Sequence, residues 1–233
     1  MKIGGLAKTT LIDYPGLVAA TIFTVGCNFC CPFCHNRDLV LPSDHGSGTL
    51  IGEDEVFAFL EKRKNVLGGI CISGGEPTLQ ADLPDFIRRV KGLGLKVKLD
   101  TNGAHPEVLA YLLTESLLDY IAMDIKNSKE KYAATCGLGS GGDMIKKIEA
   151  SVALVAGSGL AHEFRTTVVR ELHDLDDLTA IGGWLPDGAL WYLQSYKDSE
   201  NVICPGFSAY SGDELTKHAA VLRGRGVSGV RVR

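Results

Sequence analysis

Apolar, β-branched runs alternate along this chain with segments of helical period, and Gly, Pro or Asp marks each change of period. That rhythm leaves few folds open. Strands are predicted near Ala19–Thr24, Gly69–Ser73, Lys96–Asp100, Tyr120–Ile125, Glu163–Val169, Leu190–Ser195 and Val227–Val232. Helices are predicted between them, over Glu53–Lys64, Leu83–Gly92, Pro106–Leu113, Asp143–Val155, Leu175–Trp184 and Asp213–Arg223. A strand, helix, strand order sustained in this way implies an α/β fold, a parallel sheet with right-handed crossovers, curled into a full or partial barrel of the (β/α)6 type. Residues 1–17 read as a short N-terminal extension and residues 18–233 as the barrel. With 233 residues, 45% of them hydrophobic, and no long polar linker, one core domain is expected.

In parallel α/β barrels the ligand site lies at the carboxyl ends of the strands, on the loops that follow them. Here Cys27–Asn36 follows the first of these strands, Ser73–Pro77 the second and Asp100–Gly103 the third. Met123–Lys126 ends the fourth, Arg165 lies in the fifth, and Gln194–Tyr196 closes the sixth. Polar groups from successive strands are expected to converge on one mouth.

The loop after the first strand holds the spacing CxxxCxxC at Cys27, Cys31 and Cys34. Three thiolates are one fewer than an iron-sulfur cubane needs, which leaves one iron open to bind and activate something else. The same run can be parsed as Cys27xxCys30 followed by Cys31xxCys34, two hooks for a closed zinc site. Adjacent Cys30 and Cys31 argue against zinc, because neighbouring side chains diverge. Disulfides fit less well, since seven cysteines is an odd count and nothing marks the chain as secreted. Spacing alone leaves cluster and zinc both open.

A net charge of -4 gives no electrostatic case for a nucleic-acid partner. The opening Met1-Lys2-Ile3-Gly4 soon meets Asp13 and Pro15, so it lacks the apolar core of a secretory signal, and the run Leu17–Val25 is far too short to span a membrane. A soluble, cytoplasmic chain without a membrane partner is expected, acting on a protein or a small molecule.

Taken together, CxxxCxxCHN at Cys27–Asn36, GGEP at Gly74–Pro77, DTNG at Asp100–Gly103 and MDIK at Met123–Lys126 resemble the motifs of the radical S-adenosylmethionine (SAM) enzymes. More narrowly, the chain resembles the activating enzymes of glycyl-radical proteins. Its opening Lys8-Thr9-Thr10-Leu11-Ile12-Asp13-Tyr14-Pro15-Gly16, with Gly26-Cys27-Asn28, is most similar to activating proteins of anaerobic ribonucleoside-triphosphate reductase. The resemblance runs over nearly the whole chain and favours the cluster over zinc. It implies a [4Fe-4S] cluster held by Cys27, Cys31 and Cys34, with SAM on the open iron. It also implies an electron from a flavodoxin or ferredoxin-type donor, and hydrogen abstraction from a backbone glycine of a partner enzyme.

The same resemblance assigns roles at the strand ends. Gly74 and Gly75, followed by Glu76, would let backbone approach the methionyl amino group, with Pro77 stiffening the turn; an ordinary Gly-rich βα turn is the plainer reading. Asn36 would contact the adenosyl group. Lys126, oriented by Asp124, would stand beside the SAM carboxylate, and Arg165 would face SAM or form a rim salt bridge. Asp100, Thr101 and Asp124 would hold a monovalent cation, or else form a structural ion pair. His35 is expected to pack or hydrogen-bond rather than ligate metal.

Other residues take plain readings. Cys30 falls outside the triplet, and Cys71, Cys136 and Cys204 read as buried thiols, so no second cluster is expected. His45, His105, His162, His173 and His218 form no ligand pair, Trp184 and Trp191 suit a core, and Asp174, Asp176 and Asp177 suit the acidic first turn of a helix. A radical SAM enzyme acting on a small molecule, such as a 7-carboxy-7-deazaguanine synthase, is the main rival. Pyruvate formate-lyase activators tend to carry DGPG where this chain has Asp13-Tyr14-Pro15-Gly16, which counts against that partner.

Overall fold

A computed structural model of the chain describes residues 1–41, 49–139 and 142–233. His45 lies outside the described residues. Strands and helices alternate as β1 (Ile3–Thr10), β2 (Ala19–Thr24), α1 (Arg37–Val40), α2 (Glu53–Arg63), β3 (Gly69–Gly74), α3 (Leu83–Gly92), β4 (Lys96–Thr101), α4 (Pro106–Thr114) and β5 (Tyr120–Asp124). The chain continues through α5 (Tyr132–Thr135), α6 (Met144–Gly157), β6 (Ala161–Val168), α7 (Leu175–Trp184), β7 (Trp191–Ser195), α8 (Gly212–Gly224) and β8 (Val230–Val232). Strand order in the sheet follows the chain from β1 to β8. The result is the expected α/β fold with a mostly parallel sheet.

Two compact units divide the chain. The first holds Met1–Asn28, Asp38–Thr101 and Glu107–Ile121. In it β2, β3 and β4 pair in parallel, with Ala20 opposite Ile70 and Ile70 opposite Val97. Ala19, Ala20, Ile22, Ile70, Ile72, Val97 and Leu99 are all buried, the continuous apolar run expected of strands covered on both faces. On α3 the buried residues Leu83, Phe86, Ile87 and Val90 recur at helical spacing and supply one apolar stripe.

The second unit holds Phe29–Arg37, Asn102–Pro106 and Ala122–Arg233. Here β6, β7 and β8 pair in parallel, Arg165 opposite Tyr192 and Tyr192 opposite Arg231. Trp191 is fully buried, as expected of a core residue, and its one polar atom is answered, Nε1 donating to Thr166 Oγ1 at 2.9 Å. Helix α7 opens on the acidic turn expected there: Asp174 accepts from the Asp176 and Asp177 N–H groups, and Asp177 accepts in return from the Asp174 N–H.

Several boundaries differ from expectation. Within residues 1–17, β1 pairs antiparallel with β2, Leu6 opposite Ile22; Gly4, Gly5 and the polar Lys8-Thr9-Thr10 hide its strand pattern. α1 and α5 are too short for a helical period to register. β8 starts at Val230 instead of Val227, because Val227 and Ser228 are taken up by the turn that ends α8, their N–H groups donating to Leu222 O and Gly226 O at 3.0 Å each. Among the described residues, no helix is long and apolar enough to cross a membrane.

Candidate functional site

In the first unit the Gly-Gly-Glu-Pro segment is fitted to the end of β2. The Gly75 N–H donates to Thr24 O at 2.9 Å and the Glu76 N–H to Gly26 O at 2.8 Å. A Cβ on Gly75 would stand 2.0 Å from Gly26 O, and one on Gly74, at φ +110°, 2.4 Å from Thr24 N. Both glycines are therefore demanded by backbone packing next to Cys27. The carboxylate of Glu76 is buried and works inside the loop: its Oε1 accepts from Thr78 N at 3.1 Å, Thr78 Oγ1 at 2.6 Å and Thr101 Oγ1 at 2.8 Å. These bonds cap the short turn Pro77–Leu79 and tie it to the end of β4. Asp100 accepts from Ser73 Oγ at 3.2 Å and pairs with the ammonium of Lys98.

In the second unit the rest of the cysteine loop is pinned by backbone bonds. Cys30 N–H donates to Cys136 O at 2.9 Å, Cys34 N–H to Cys31 O at 3.0 Å, Ile203 N–H to Cys34 O at 3.1 Å and Cys204 N–H to Pro32 O at 2.8 Å. Phe29 and Phe33 are buried and anchor the loop, which the cysteine spacing had not revealed. Cys31 is buried, Cys27 and Cys34 half-buried and Cys30 exposed. A hydrogen bond with Cys136 lowers the Cys31 thiol despite its burial, with Lys126 assisting, whereas burial pushes Cys34 up. His35 stacks on Tyr196 with ring centroids 5.5 Å apart, as its packing role requires. Cys71 and Cys136 are buried as expected, but Cys204 is exposed: it lies outside any helix or strand, and its backbone rather than its side chain engages the loop.

Beyond β5 stands a charged triad. Asp124 bonds Lys126 Nζ through Oδ2 at 2.9 Å and Arg165 Nε through Oδ1 at 2.8 Å. Burial opposes ionisation of Asp124, yet the two cations outweigh it and hold the carboxyl down at about 2. Lys126 is raised in turn: burial works against its charge, and Asp124, followed by Cys31, more than compensates.

His173 fixes the backbone of this segment. Its Nδ1 accepts from Val169 N–H at 3.1 Å and its Nε2 faces Lys126 O at 2.7 Å, so the neutral tautomer with the proton on Nε2 satisfies both. Only the fold brings His173 here, since no sequence spacing links it to Lys126. In DTNG, Asn102 Oδ1 accepts from Ala104 N–H at 2.9 Å, and Gly103 sits at φ +76° where a Cβ would meet Met123 Cε at 2.1 Å. Asn36 is half-buried on the cysteine loop. Among the described residues no group of three or more His, Cys, Asp or Glu side chains stands arranged around a common metal position. What fits an iron-sulfur cluster is the donor chemistry, three thiols outside any disulfide at CxxxCxxC spacing on a loop pinned by its backbone.

Comparison with known proteins agrees with these motifs. A family model, the radical SAM superfamily, matches residues 21–174. A protein of Methanocaldococcus jannaschii, provisionally named a glycyl-radical enzyme activating enzyme (MJ1227), is 36% identical over 203 residues, 85% of this chain and 81% of the relative. A provisionally named GTP 3',8-cyclase of Saccharolobus islandicus is 30% identical over 129 residues, 54% of this chain and 40% of its own. In fold, the chain is similar to a radical SAM methyltransferase from Sphaerobacter thermophilus, with a TM-score of 0.69 and 18% identity over 97% of this chain and 68% of that one. It is also similar to a domain of pyruvate-formate lyase-activating enzyme from Bacteroides vulgatus, with a TM-score of 0.55 and 16% identity over 71% of this chain and 99% of that one. Motifs, fold and relatives agree, and the chain belongs to the radical SAM superfamily of enzymes, which work with SAM and an iron-sulfur cluster.

Proposed function

We propose that this chain is an activating enzyme that removes one hydrogen atom from a backbone glycine of a glycyl-radical protein, anaerobic ribonucleoside-triphosphate reductase being the partner. The observation that carries the reading is the 36% identity to the Methanocaldococcus jannaschii activating-enzyme relative over 85% of this chain. The KTTLIDYPG opening supports the choice of reductase. A [4Fe-4S] cluster with SAM, reduced by a flavodoxin or ferredoxin-type donor, would supply the hydrogen-abstracting chemistry. The protein's share is to hold and orient these groups.

Cys27, Cys31 and Cys34 would hold the cluster, and exposed Cys30 stays outside the set. The Gly74-Gly75 backbone, kept in place by Glu76, would meet the methionyl amino group, and Asn36 the adenosyl group. Lys126 and Arg165, both held by Asp124, would suit the SAM carboxylate. Glycine is a fitting target because its Cα carries no side chain to block approach and the radical spreads over the flanking amides. None of the described cysteines is in a disulfide, which suits a reducing, cytoplasmic setting. Residues 1–233 would act as one radical SAM core.

The likeness to the Saccharolobus cyclase favours a second reading, a small-molecule substrate, over only 54% of this chain. One experiment separates the two. After anaerobic reconstitution with iron, sulfide and SAM, the reduced protein should produce 5'-deoxyadenosine and raise a glycyl-radical signal in electron paramagnetic resonance on a co-expressed reductase. Replacing the partner's radical glycine by alanine should erase that signal. Cys27→Ser, Cys31→Ser and Cys34→Ser should each lose iron and cleavage, while Cys30→Ser retains both. Cleavage coupled to a metabolite with no protein radical would sink the activase reading, and iron loss in Cys30→Ser alone would sink the ligand set.

A further inference from the structure

A lysine inside a parallel sheet needs a reason to be there, because an unpaired buried ammonium is strongly disfavoured. Lys98 lies in the middle of β4, and its side chain is only 2% exposed. Its ammonium pairs with Asp100 Oδ1 and approaches Cys71 Sγ at 3.7 Å and the Tyr120 ring centroid at 5.9 Å. Alternation along a strand puts Lys98 and Asp100 on one face of β4. Register sets Cys71 of β3 opposite Lys98, and Ser73, two residues further along β3, donates to Asp100 from the same side. Thr101, next along β4, points the other way, its hydroxyl donating to Glu76.

This geometry bears on Asp100 and Thr101, which with Asp124 are the residues that the resemblance to glycyl-radical activating enzymes implies as holders of a monovalent cation. A metal ion on Asp100 would have to share the carboxylate with a fixed ammonium and would be repelled by it. Thr101 has its hydroxyl committed on the opposite face of the strand. We propose that Lys98 is the built-in cation of this site, a positioning residue that takes the place of a bound sodium or potassium ion at Asp100, so the protein handles SAM without a monovalent metal. The inference rests on the reading of Asp100 and Thr101 as part of the SAM site. It separates this chain from any relative that relies on a dissolved ion, since the charge is covalently part of β4 and its occupancy does not depend on salt.

Two measurements test it. Thallium(I), a potassium substitute followed by its own magnetic resonance line, is titrated into the cluster-free chain. The wild type should show no saturable binding that potassium displaces, whereas Lys98→Met, which leaves Asp100 without its ammonium, should acquire such a site and Lys98→Met/Asp100→Asn should lose it again. In the reconstituted protein, SAM affinity of the wild type should be the same in potassium, sodium and choline chloride at one ionic strength. Lys98→Met should lose about tenfold in choline and recover in potassium. Saturable thallium binding by the wild type that Asp100→Asn abolishes would overturn the proposal, and so would a folded Lys98→Met whose SAM affinity ignores the salt. The wild-type arms decide the matter even if Lys98→Met does not fold. Failure of the wild type to bind SAM in any salt would instead sink the site assignment, and the thallium result on the cluster-free chain would still stand.

Discussion

Gly75→Ala is a one-carbon change whose cost can be worked from the loop it enters. The new Cβ would stand 2.0 Å from Gly26 O and 2.7 Å from Gly26 C, and both are backbone atoms with no rotamer to yield. Relief requires the two loops to part, which stretches the 2.8 Å bond from Glu76 N–H to Gly26 O. Overpacking of this kind costs about 1–3 kcal/mol, and a buried N–H left without its acceptor costs about 1–3 kcal/mol more. Since one displacement causes both, the terms overlap, and we expect a loss of about 2–4 kcal/mol. Gly26 directly precedes Cys27, so the variant should also bind less iron. A Gly-Gly loop shaped only to approach a cofactor, as the resemblance implies, would instead give weaker SAM binding with the cluster intact. Urea denaturation of the cluster-free chain gives the stability, and iron analysis after reconstitution gives the loading. Gly183→Ala is the control, in α7 with nothing within 4 Å of its would-be Cβ; it should change stability by no more than about 1 kcal/mol, in the stabilising direction. A Gly75→Ala chain within about 0.5 kcal/mol of the wild type and fully loaded with iron would refute the reasoning.

His173 should impose a pH dependence on folding: burial lowers its imidazole below the ordinary 6.5, so the unfolded chain binds the proton more readily, and the stabilisation, complete above about 6.5, drains as pH falls toward the native value. His173→Phe should flatten that part of the profile in denaturant titrations between about pH 5 and pH 7.5, and should cost about 1–3 kcal/mol by stranding Val169 N–H and Lys126 O; a profile unchanged from the wild type would contradict the assignment. Gly137→Ala meets both φ +68° and the Cys30 carbonyl oxygen 2.3 Å from the new Cβ, so iron loading should fall even though no thiol is touched, and normal loading would show that the loop tolerates the shift. Removing the cap of α7 in Asp174→Ala should cost about 1 kcal/mol, read as a lower thermal midpoint, with iron and SAM binding unchanged.

What the sequence disclosed and what it hid follow a physical division. Features set by neighbours in the chain were legible: the period of each strand and helix, the acidic cap at Asp174, the CxxxCxxC spacing, and glycines where backbones close up. Features set by residues distant in sequence were not. The bonds that Glu76 Oε1 accepts from Thr78 and Thr101 could not be read from the motif, since only the pairing of β3 with β4 brings Thr101 near. His173 has no motif, because its role depends on a carbonyl at Lys126 that the fold brings to it. Lys98 was the signal that could have been caught: a lysine two residues before Asp100 shares its strand face, and a charge placed there must be paired. The catalytic motifs state which chemistry the family performs, while the buried polar residues between them decide how this chain holds its parts at the strand ends. Variants of Lys98, Glu76 and His173 are therefore the place to look for what is particular to this enzyme.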